Sequence, residues 1–477
     1  MTIGVRSCHL AVPFYEELGI TEDEPSIKFS SGAKETRDQS FMVSSCDVPT
    51  SKLSRFSAAI STPDYYCALT SWTAHQVSES IKRDVATRSG LGANRVKITA
   101  VEAIPFTFWH DREPLSYCLV RVATDNDLTG WGEACDSFGC TYAGVIETTV
   151  AQAFAPLLID EELDDPTRLI YKLRSWTRRR LGHQWVAMHA LSGIELALWD
   201  AVGKTRGESI AALLGSDAKP MPIYASSVFL EEGPPNWHIE MLAPLIQAGV
   251  KAAKLRIGVD WQADLETLAA VRDQLDPSVA LMIDGNENFT LETALTVADR
   301  LSELGIEWFE EPIPQDSPEA IAALCAQSPV PIAYGEHMFG ATEFKTASNT
   351  YGISVLQPDV ATCGGISEAM LIAGLANSAG LRLAPHTASG PIALAANLHF
   401  GAAAGASVVE YPFPLAECWA EIAPTCPLTP DAVTNGCLSL PSGPGLGVEI
   451  DLDAVRDRPY QPPAPRPGPS TRFMGNV

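Results

Sequence analysis

Three acidic residues in the middle of the chain each close a short apolar run, and they do so at a constant interval. Asp284 and Glu310 are 26 residues apart, and Glu310 and Glu336 are again 26 residues apart. This interval accommodates one strand and one returning helix, so the three acids are predicted to end three successive parallel strands. Because all strand ends of a β/α barrel open onto one face, the three carboxylates are predicted to converge there.

Carboxylates that converge in this way need a counter-charge. They repel one another strongly unless a cation lies between them. A set of oxygen ligands with open positions suits Mg²⁺. The spacing therefore predicts a metal-dependent enzyme that holds one Mg²⁺ between Asp284, Glu310 and Glu336.

The charge and hydropathy of the chain limit its partners. At 477 residues the chain is long enough for two or three domains, and its formal net charge is −25. So acidic a protein repels nucleic acid and anionic lipid, and the sequence contains no uninterrupted apolar run of about 18 residues that would predict a membrane span. An anionic substrate would therefore need a local cation, which a bound metal would supply.

The cysteines and the beginning of the chain indicate the compartment. The 11 cysteines include no CxxC pair, so reduced thiols are expected, and a disulfide between Cys135 and Cys140 is the less favoured alternative. The first 30 residues are acidic and show no basic segment followed by an apolar one. No signal or transit peptide is therefore predicted, and we expect a cytoplasmic protein.

The pattern of the chain divides it into five parts. Strand-like runs at 96–104 and 117–123 and a helix at 192–212, broken at Gly207, predict an α+β cap. Short β-branched runs then alternate with helical patterns as far as Val409, which predicts a βα barrel. The expected parts are a poorly ordered extension with a short helix near 74–84 (1–95), the cap (96–220), the barrel (221–412), a segment that completes the cap (413–456) and a proline-rich tail (457–477).

Further strands of the predicted barrel also carry polar side chains near their ends. Asp359 and His386 follow the next two strands, and a carboxylate beside an imidazole makes His386 a candidate general base. Lys254 and Arg256 alternate on an earlier strand and are predicted to face the barrel mouth. Glu410 is expected at the end of the final strand.

Seven motifs occur in order along this region: GIELALWDAVGKTRG (193–207), KAAKLRIG (251–258), MIDGNENF (282–289), WFEEP (308–312), YGEH (334–337), QPDVATCGGI (357–366) and APHTASG (384–390). Together they resemble the enolase superfamily, in its mandelate racemase subgroup, over about residues 96–455. The resemblance implies a modified (β/α)7β TIM-like barrel. It also implies an α+β capping domain built from N-terminal and C-terminal segments, and a homo-oligomer.

The same resemblance implies roles for the residues already named. Mg²⁺ is expected on the three acids of the 26-residue series, and His386 and Asp359 are expected to form a base dyad. Glu410 is expected to hydrogen-bond the substrate carboxylate. The shared chemistry removes a proton α to a carboxylate and leaves an enediolate that the metal stabilises.

One position departs from the family pattern. Many members end the second barrel strand with Lys-x-Lys, whose second lysine is a base on the opposite face of the substrate, but here that position is Arg256. A guanidinium keeps its proton and is a poor base. The sequence therefore favours one-base chemistry by His386, such as dehydration of an aldonate or aldarate to a 2-keto-3-deoxy acid, with Lys254 and Arg256 as cationic anchors.

Other classes of function stay open. An isomerase is the main alternative, either a racemase or epimerase or a cycloisomerase that opens a ring by the same elimination, and a non-catalytic scaffold is the third. The sequence names neither the sugar acid nor its stereochemistry.

Several further residues are expected near the predicted site. Asn286, His337 and Trp109 are candidate substrate-lining residues. Glu311 is expected to form a salt bridge, and the role of third metal ligand is its alternative. His189 is expected on a helix surface.

Overall fold

The computed structural model describes residues 95–110, 113–134, 142–387, 389–413, 419–424, 426 and 428–462. The expected extension with its helix near 74–84, apart from residue 95, lies outside these residues. So do the pair Cys135 and Cys140 and the tail beyond 462. The side chain of Trp109 is likewise outside the described part.

A three-stranded antiparallel meander begins the cap. Its strands are β1 (Ile98–His110), β2 (Glu113–Thr124) and β3 (Thr129–Glu133), in the order β1-β2-β3. The polar turn at 125–128 joins β2 to β3, as the sequence pattern predicts. Successive residues of β2 are buried on both faces, because helices of the cap cover one face and the barrel side covers the other.

Helices pack against this meander. They are α1 (Ala143–Thr149), a π-helical turn (Val150–Phe154), α2 (Ala155–Leu158), α3 (Pro166–Thr177), α4 (Trp185–Arg206) and α5 (Ile210–Leu213). The backbone of β3 lies directly on α4, where a Cβ on Gly132 would be 1.9 Å from the carbonyl oxygen of Gly193. Gly207, with φ of 67°, ends α4 where the sequence predicts the break.

The long helix α4 is buried along most of its length. It lies between the meander and the barrel, so that even His189 is only 3 % exposed. The expectation of a surface position for His189 was therefore wrong. A helix that is enclosed on both sides has no exposed face, so its sequence does not alternate between apolar and polar faces in a way that would reveal burial.

Eight parallel strands form the second layer of the molecule. They are β4 (Met221–Phe229), β5 (Ala252–Arg256), β6 (Ala280–Asp284), β7 (Phe309–Glu310), β8 (Ile332–Tyr334), β9 (Val355–Leu356), β10 (Arg382–Leu383) and β11 (Val409–Pro412). Their order is β10-β9-β8-β7-β6-β5-β4-β11. The amides of Ser407 and Glu410 donate to the carbonyls of Leu383 and Pro385, which joins the two ends of the sheet into a barrel.

Helices return between these strands on the outside of the barrel. They are α6 (Pro235–Gln247), α7 (Trp261–Gln274), α8 (Leu291–Glu303), α9 (Pro318–Gln327), α10 (Gly340–Thr346), α11 (Ile366–Ala379) and α12 (Pro391–Ala404). Their apolar faces and the outward side chains of the strands form one large buried cluster. The fold is thus the predicted modified barrel with an α+β cap.

The last part of the chain returns to both layers. Strand β12 (Cys437–Leu438) pairs antiparallel with β4, and α13 (Leu452–Arg456) follows. The amide of Thr107 in β1 donates to the carbonyl of Arg458, and the amide of Gln461 donates to the hydroxyl of Thr107. The first residues of the predicted loose tail, 457–462, are therefore attached to the cap rather than loose. Within the described residues, no helix is both long and apolar enough to cross a membrane.

Candidate active site

The three acids of the 26-residue series lie at one end of neighbouring strands. Asp284 and Glu310 are the last residues of β6 and β7 and are paired in register, and Glu336 follows the end of β8. All three are buried, with at most 4 % exposure. The spacing argument correctly placed these carboxylates together, since each of the two intervals that separate them spans 26 residues.

Two cationic side chains of β5 reach into this group. The ammonium of Lys254 hydrogen-bonds Oε1 of Glu310 and lies 3.4 Å from Oδ2 of Asp284. Nε of Arg256 lies 3.5 Å from the same Asp284 oxygen, and its Nη2 donates to the hydroxyl of Ser226 over 3.3 Å. Both side chains therefore face the barrel mouth, as their alternation in the strand predicts.

The predicted dyad is assembled on the opposite side of the acids. Nδ1 of His386 lies 3.0 Å from Oδ2 of Asp359, and both residues are fully buried. Nε2 of His386 is 2.5 Å from Oε2 of Glu336 and 3.8 Å from Oε2 of Glu410. We refer to Asp359 and His386 as the dyad.

The surroundings of His386 control its protonation. Burial lowers the pKa of the imidazole, but the carboxylates of Glu336, Glu410 and Asp359 outweigh it and raise the pKa well above 6.5. A cation held by Glu336 would weaken that attraction and favour the neutral imidazole, the form that acts as a base.

The charges of the site fit a bound cation. Four buried acids outnumber the two cationic side chains of β5; these acids are Asp284, Glu310, Glu336 and Glu410. Oε1 of Glu336 is buried and has no hydrogen-bond partner within the described part of the chain. Burial, followed by repulsion from the neighbouring acids, raises the pKa of Glu310 to about 7 against the attraction of Lys254. An all-carboxylate donor set of this kind suits a hard cation such as Mg²⁺.

A second group of polar side chains lies beside these acids. Glu287, Glu311 and His337 have potential ligand atoms within 4.8 Å of one another. Oε2 of Glu311 lies 2.9 Å from Nδ1 of His337. Burial lowers the pKa of His337, but the carboxylates of Glu311, Glu336 and Glu287 outweigh burial and raise this pKa to about 10. The short contact between Glu311 and His337 fits the salt bridge that is expected of Glu311.

Asn286 lies between the two groups. Its backbone and side-chain nitrogens donate to the carboxylate of Asp284 over 2.9 and 3.2 Å. Its Oδ1 is buried and without a partner among the described residues, and its φ of 43° is unusual for a residue other than glycine. Asn286 thus orients a predicted metal ligand, and its free oxygen is available to a ligand. His337 is 11 % exposed and packs against the ring of Trp185.

Sequence reasoning missed a set of residues beneath the acids. The hydroxyl of Tyr224 donates to Oε2 of Glu410 over 2.7 Å. The side chains of Gln357 and Trp308 donate to Oε2 of Glu310 over 2.6 and 3.2 Å. These bonds fix the rotamers of both acids from inside the barrel. Gln357 could have been recognised from its place in the QPD motif, two residues before Asp359.

Asn397 was also missed, and it orients the dyad. Its amide nitrogen donates to Oδ1 of Asp359, to the carbonyl of His386 and to the hydroxyl of Thr387, each over 3.0 Å. Its Oδ1 accepts from the amide of Val360. An amide among the mostly apolar buried side chains of α12 was the signal that could have identified it, since buried amides are retained where they are hydrogen-bonded.

The structure thus brings together Asp284, Glu310, Glu336, Lys254, Arg256, Asp359, His386, Glu410, Asn286 and His337 at one end of the barrel. Their roles as metal ligands, base and substrate contacts stay predictions. An arrangement of buried acids around one imidazole can hold a cation and move a proton next to it.

Comparison with known proteins identifies the protein family. Residues 239–454 match the enolase C-terminal domain-like family, and residues 95–215 match the mandelate racemase / muconate lactonizing enzyme N-terminal domain. The chain therefore belongs to the mandelate racemase / muconate lactonizing enzyme family of the enolase superfamily, as its motifs predict.

Relatives in this family act on sugar acids or their lactones. The chain is 34 % identical to D-galactarolactone cycloisomerase of Agrobacterium fabrum, over 72 % of this chain and 91 % of that protein. It is 31 % identical to arabinonate dehydratase of Saccharolobus solfataricus, over 71 % and 89 % of the two chains. It is 30 % identical to L-talarate/galactarate dehydratase of Salmonella typhimurium, over 61 % and 72 %.

Solved structures show the same architecture. The 3,6-anhydro-D-galactonate cycloisomerase of Zobellia galactanivorans superposes with a TM-score of 0.68 at 27 % identity, over 76 % of this chain and 100 % of that one. A mandelate racemase/muconate lactonizing enzyme of Bordetella bronchiseptica superposes with a TM-score of 0.67 at 29 % identity, over 76 % and 99 %.

Proposed function

We propose that the protein is a Mg²⁺-dependent dehydratase of a sugar acid, an aldonate or an aldarate. The observation that carries this proposal is the position of the imidazole. Nδ1 of His386 is held by Asp359, while Nε2 faces Glu336, one of the three proposed metal ligands. A base that reaches the metal ligands in this way would meet the α-proton of a carboxylate bound at the metal.

The reaction requires that negative charge be stabilised as the proton leaves. Mg²⁺ held by Asp284, Glu310 and Glu336 would lower the energy of the charge that develops on the substrate carboxylate. His386 would accept the α-proton and return it to the β-hydroxyl, which leaves as water. A syn elimination lets one imidazole do both, and the enol product becomes the 2-keto-3-deoxy acid.

Among the residues that the structure describes, the opposite face of the substrate offers no comparable base. Arg256 cannot give up its proton near neutral pH, and Lys254 is enclosed by the carboxylates of Asp284, Glu310 and Glu410. We assign both cations to anchoring the substrate and the acidic ligands.

Glu410, 3.0 Å from the Lys254 ammonium, is the proposed hydrogen-bonding partner of the substrate carboxylate. The attraction of Lys254 and His386 outweighs burial and lowers the pKa of Glu410 to about 2, so Glu410 would have to take up a proton as the substrate binds and then donate it in this bond. The negative charge of the incoming carboxylate favours that uptake.

A cycloisomerase is the second candidate. It would use the same abstraction of the α-proton, with a ring oxygen instead of a hydroxyl as the leaving group. The similarity to D-galactarolactone cycloisomerase and the structural match to 3,6-anhydro-D-galactonate cycloisomerase favour this alternative. Arg256 leaves it unaffected, because one base is sufficient for either outcome.

A screen of substrates in deuterated water separates these candidates. The purified protein with Mg²⁺ is incubated with a library of aldonates, aldarates and their lactones. A 2-keto-3-deoxy acid supports the dehydratase, and an isomeric product of equal mass supports the cycloisomerase. Exchange of the α-proton with inversion supports a racemase or epimerase, and the absence of both product and exchange across the library contradicts the proposal.

We propose in addition that the protein works in the cytoplasm as a homo-oligomer. The cysteines, which include no CxxC pair and are expected to be reduced, support the compartment, and the family resemblance supports the oligomer. Size-exclusion chromatography with light scattering measures the oligomeric state directly.

A further inference from the structure

Two buried acids of the cap dock on consecutive helices of the barrel. Glu133 is the last residue of β3, and Glu195 lies in the middle of α4, and both are fully buried. Each accepts backbone hydrogen bonds at the N-terminus of a barrel helix. These two helices, α11 and α12, directly follow the loops that carry the dyad.

Glu195 holds the helix that follows Asp359. Its Oε2 accepts from the amide of Ile366 over 2.8 Å, and its Oε1 accepts from the amide and hydroxyl of Ser367 over 3.0 and 2.5 Å. The hydroxyl of Ser192, one turn earlier on the same face of α4, accepts from the amide of Gly364 over 2.9 Å. The cap helix therefore binds the loop after Asp359 at two successive points.

Glu133 holds the helix that follows His386. Its Oε1 accepts from the amide of Gly390 over 2.9 Å, and its Oε2 accepts from the amide of Ala393 over 3.1 Å. Further along this helix, Asn397 binds Asp359 and the carbonyl of His386. A shift of α12 would therefore move the side chain that orients the dyad.

The two contacts share a steric requirement. A Cβ on Gly365 would be 2.2 Å from Oε2 of Glu195, and a Cβ on Gly390 would be 2.4 Å from Oε1 of Glu133. Each carboxylate thus enters a space that only glycine leaves open. The positive end of a helix also favours a carboxylate there.

We propose that Glu133 and Glu195 are positioning residues, which fix the loops of the dyad from the cap and so set the alignment of the imidazole with its carboxylate. The proposal rests on the proposed role of the dyad in proton abstraction. Neither acid touches the site directly. Their partners in the barrel are backbone amides of the two loops and helices, and Glu195 also accepts from the hydroxyl of Ser367 and from the indole of Trp199 in its own helix. The cap of this chain therefore contributes to the geometry of the base.

The chain offers a matched control in the same helix. Asp200 is also a fully buried acid of α4, and its carboxylate accepts from the amides of Trp131 and Leu446, each over 2.8 Å. These partners lie in β3 and in the C-terminal segment rather than in the loops of the dyad. Asp200→Asn should therefore weaken the cap without moving the base.

The test compares Glu133→Gln, Glu195→Gln and Asp200→Asn with the unaltered protein, all loaded with Mg²⁺. Hydrogen–deuterium exchange followed by mass spectrometry reports on the loops without any substrate. Faster exchange is expected at 359–367 in Glu195→Gln and at 386–393 in Glu133→Gln, whereas Asp200→Asn should change exchange near Leu446. Unchanged exchange at both loops in both Gln variants contradicts the proposal.

Turnover on the substrate found in the screen supplies the second readout. Both Gln variants should lose roughly 10- to 100-fold in kcat per folded, metal-loaded site, with a shifted pH profile and a nearly unchanged KM. Asp200→Asn should stay within about threefold of the unaltered protein. A kcat unchanged in the Gln variants, or lowered equally in all three, overturns the proposal.

Two further arms keep the outcomes distinct. If a Gln variant does not fold, the corresponding Asp variant, whose carboxylate is withdrawn by one methylene, takes its place with the same expectations. If the unaltered protein turns over no sugar acid, the proposed function fails, and hydrogen–deuterium exchange alone decides whether the two acids hold the loops.

Discussion

Nε2 of His386 lies 2.5 Å from Oε2 of Glu336, while Nδ1 of the same ring lies 3.0 Å from Oδ2 of Asp359. The imidazole is thus held between the acid that orients it and an acid that we propose as a metal ligand. This relationship couples the two halves of the proposed chemistry, because the base and the cation share one neighbour.

The three acids of the 26-residue series should each be required for metal binding. We expect Asp284→Asn, Glu310→Gln and Glu336→Gln to lose bound Mg²⁺ and to lower turnover by roughly 10²- to 10³-fold or more, because the charge on the substrate would be uncompensated. Metal content is measured by mass spectrometry of the purified variants and turnover in the same samples. Full turnover in excess chelator, with no metal detected, would refute this assignment.

Glu410 should be replaceable by glutamine but not by alanine. A glutamine amide can donate to a substrate carboxylate, and it keeps an acceptor for the hydroxyl of Tyr224. Glu410→Ala removes both interactions and should raise KM roughly 10- to 100-fold more than Glu410→Gln. Steady-state kinetics with Tyr224→Phe as the matched control separates loss of the substrate contact from loss of the internal one. Equal KM values in the Gln and Ala variants would argue against a substrate contact.

The two cap acids should make the stability of the protein depend on pH. Burial, partly offset by the backbone hydrogen bonds, raises the pKa of Glu133 and of Glu195 from 4.5 to about 7. A raised pKa means that the folded state favours the protonated acid more than the unfolded state does. The contribution of each acid to the free energy of unfolding is therefore complete below pH 4.5 and is lost as the pH rises through 7.

Over this pH range, each acid is expected to lower the free energy of unfolding by roughly 3 kcal/mol. Glutamine cannot ionise, so the melting temperature of Glu133→Gln relative to the unaltered protein should rise between pH 5 and pH 8. Glu195→Gln should show the same trend. Melting curves across this range check the sign, and a relative melting temperature that falls with pH would show that the acids are ionised in the folded protein well below pH 7.

The N-terminal extension should be dispensable. The family match to the cap begins at residue 95. Deleting residues 1–90 should therefore leave the melting temperature unchanged. Turnover should stay within about twofold of that of the full chain. A truncated protein that is soluble and metal-loaded but inactive would show that the extension contributes to the site.

The barrel and its acidic side chains could be predicted because they follow a periodic rule. Asp284, Glu310 and Glu336 follow one another at 26 residues, the length of one strand and one helix, so they could be assigned to one face from spacing alone. The dyad followed from the same rule, with the family motifs as support.

Residues that act through tertiary contacts could not be found in this way. The amide of Ile366 donates to the carboxylate of Glu195, and these two residues are 171 positions apart in the sequence. Asn397 and Gln357 are single polar side chains whose partners are set by packing rather than by any local pattern. The burial of His189 was misjudged for the same reason, since both layers that enclose α4 are distant in sequence.

Exchange of the α-proton in deuterated water tests the central claim, that His386 is the base on one face of the substrate and that the other face has none. The measurement uses both epimers of the substrate with the unaltered protein, His386→Asn and Arg256→Lys. The account predicts exchange of one epimer only, its complete loss in His386→Asn, and new exchange of the opposite epimer in Arg256→Lys, because a lysine beside Lys254 can lose its proton. Exchange of both epimers by the unaltered protein, or exchange that persists in His386→Asn, would contradict it.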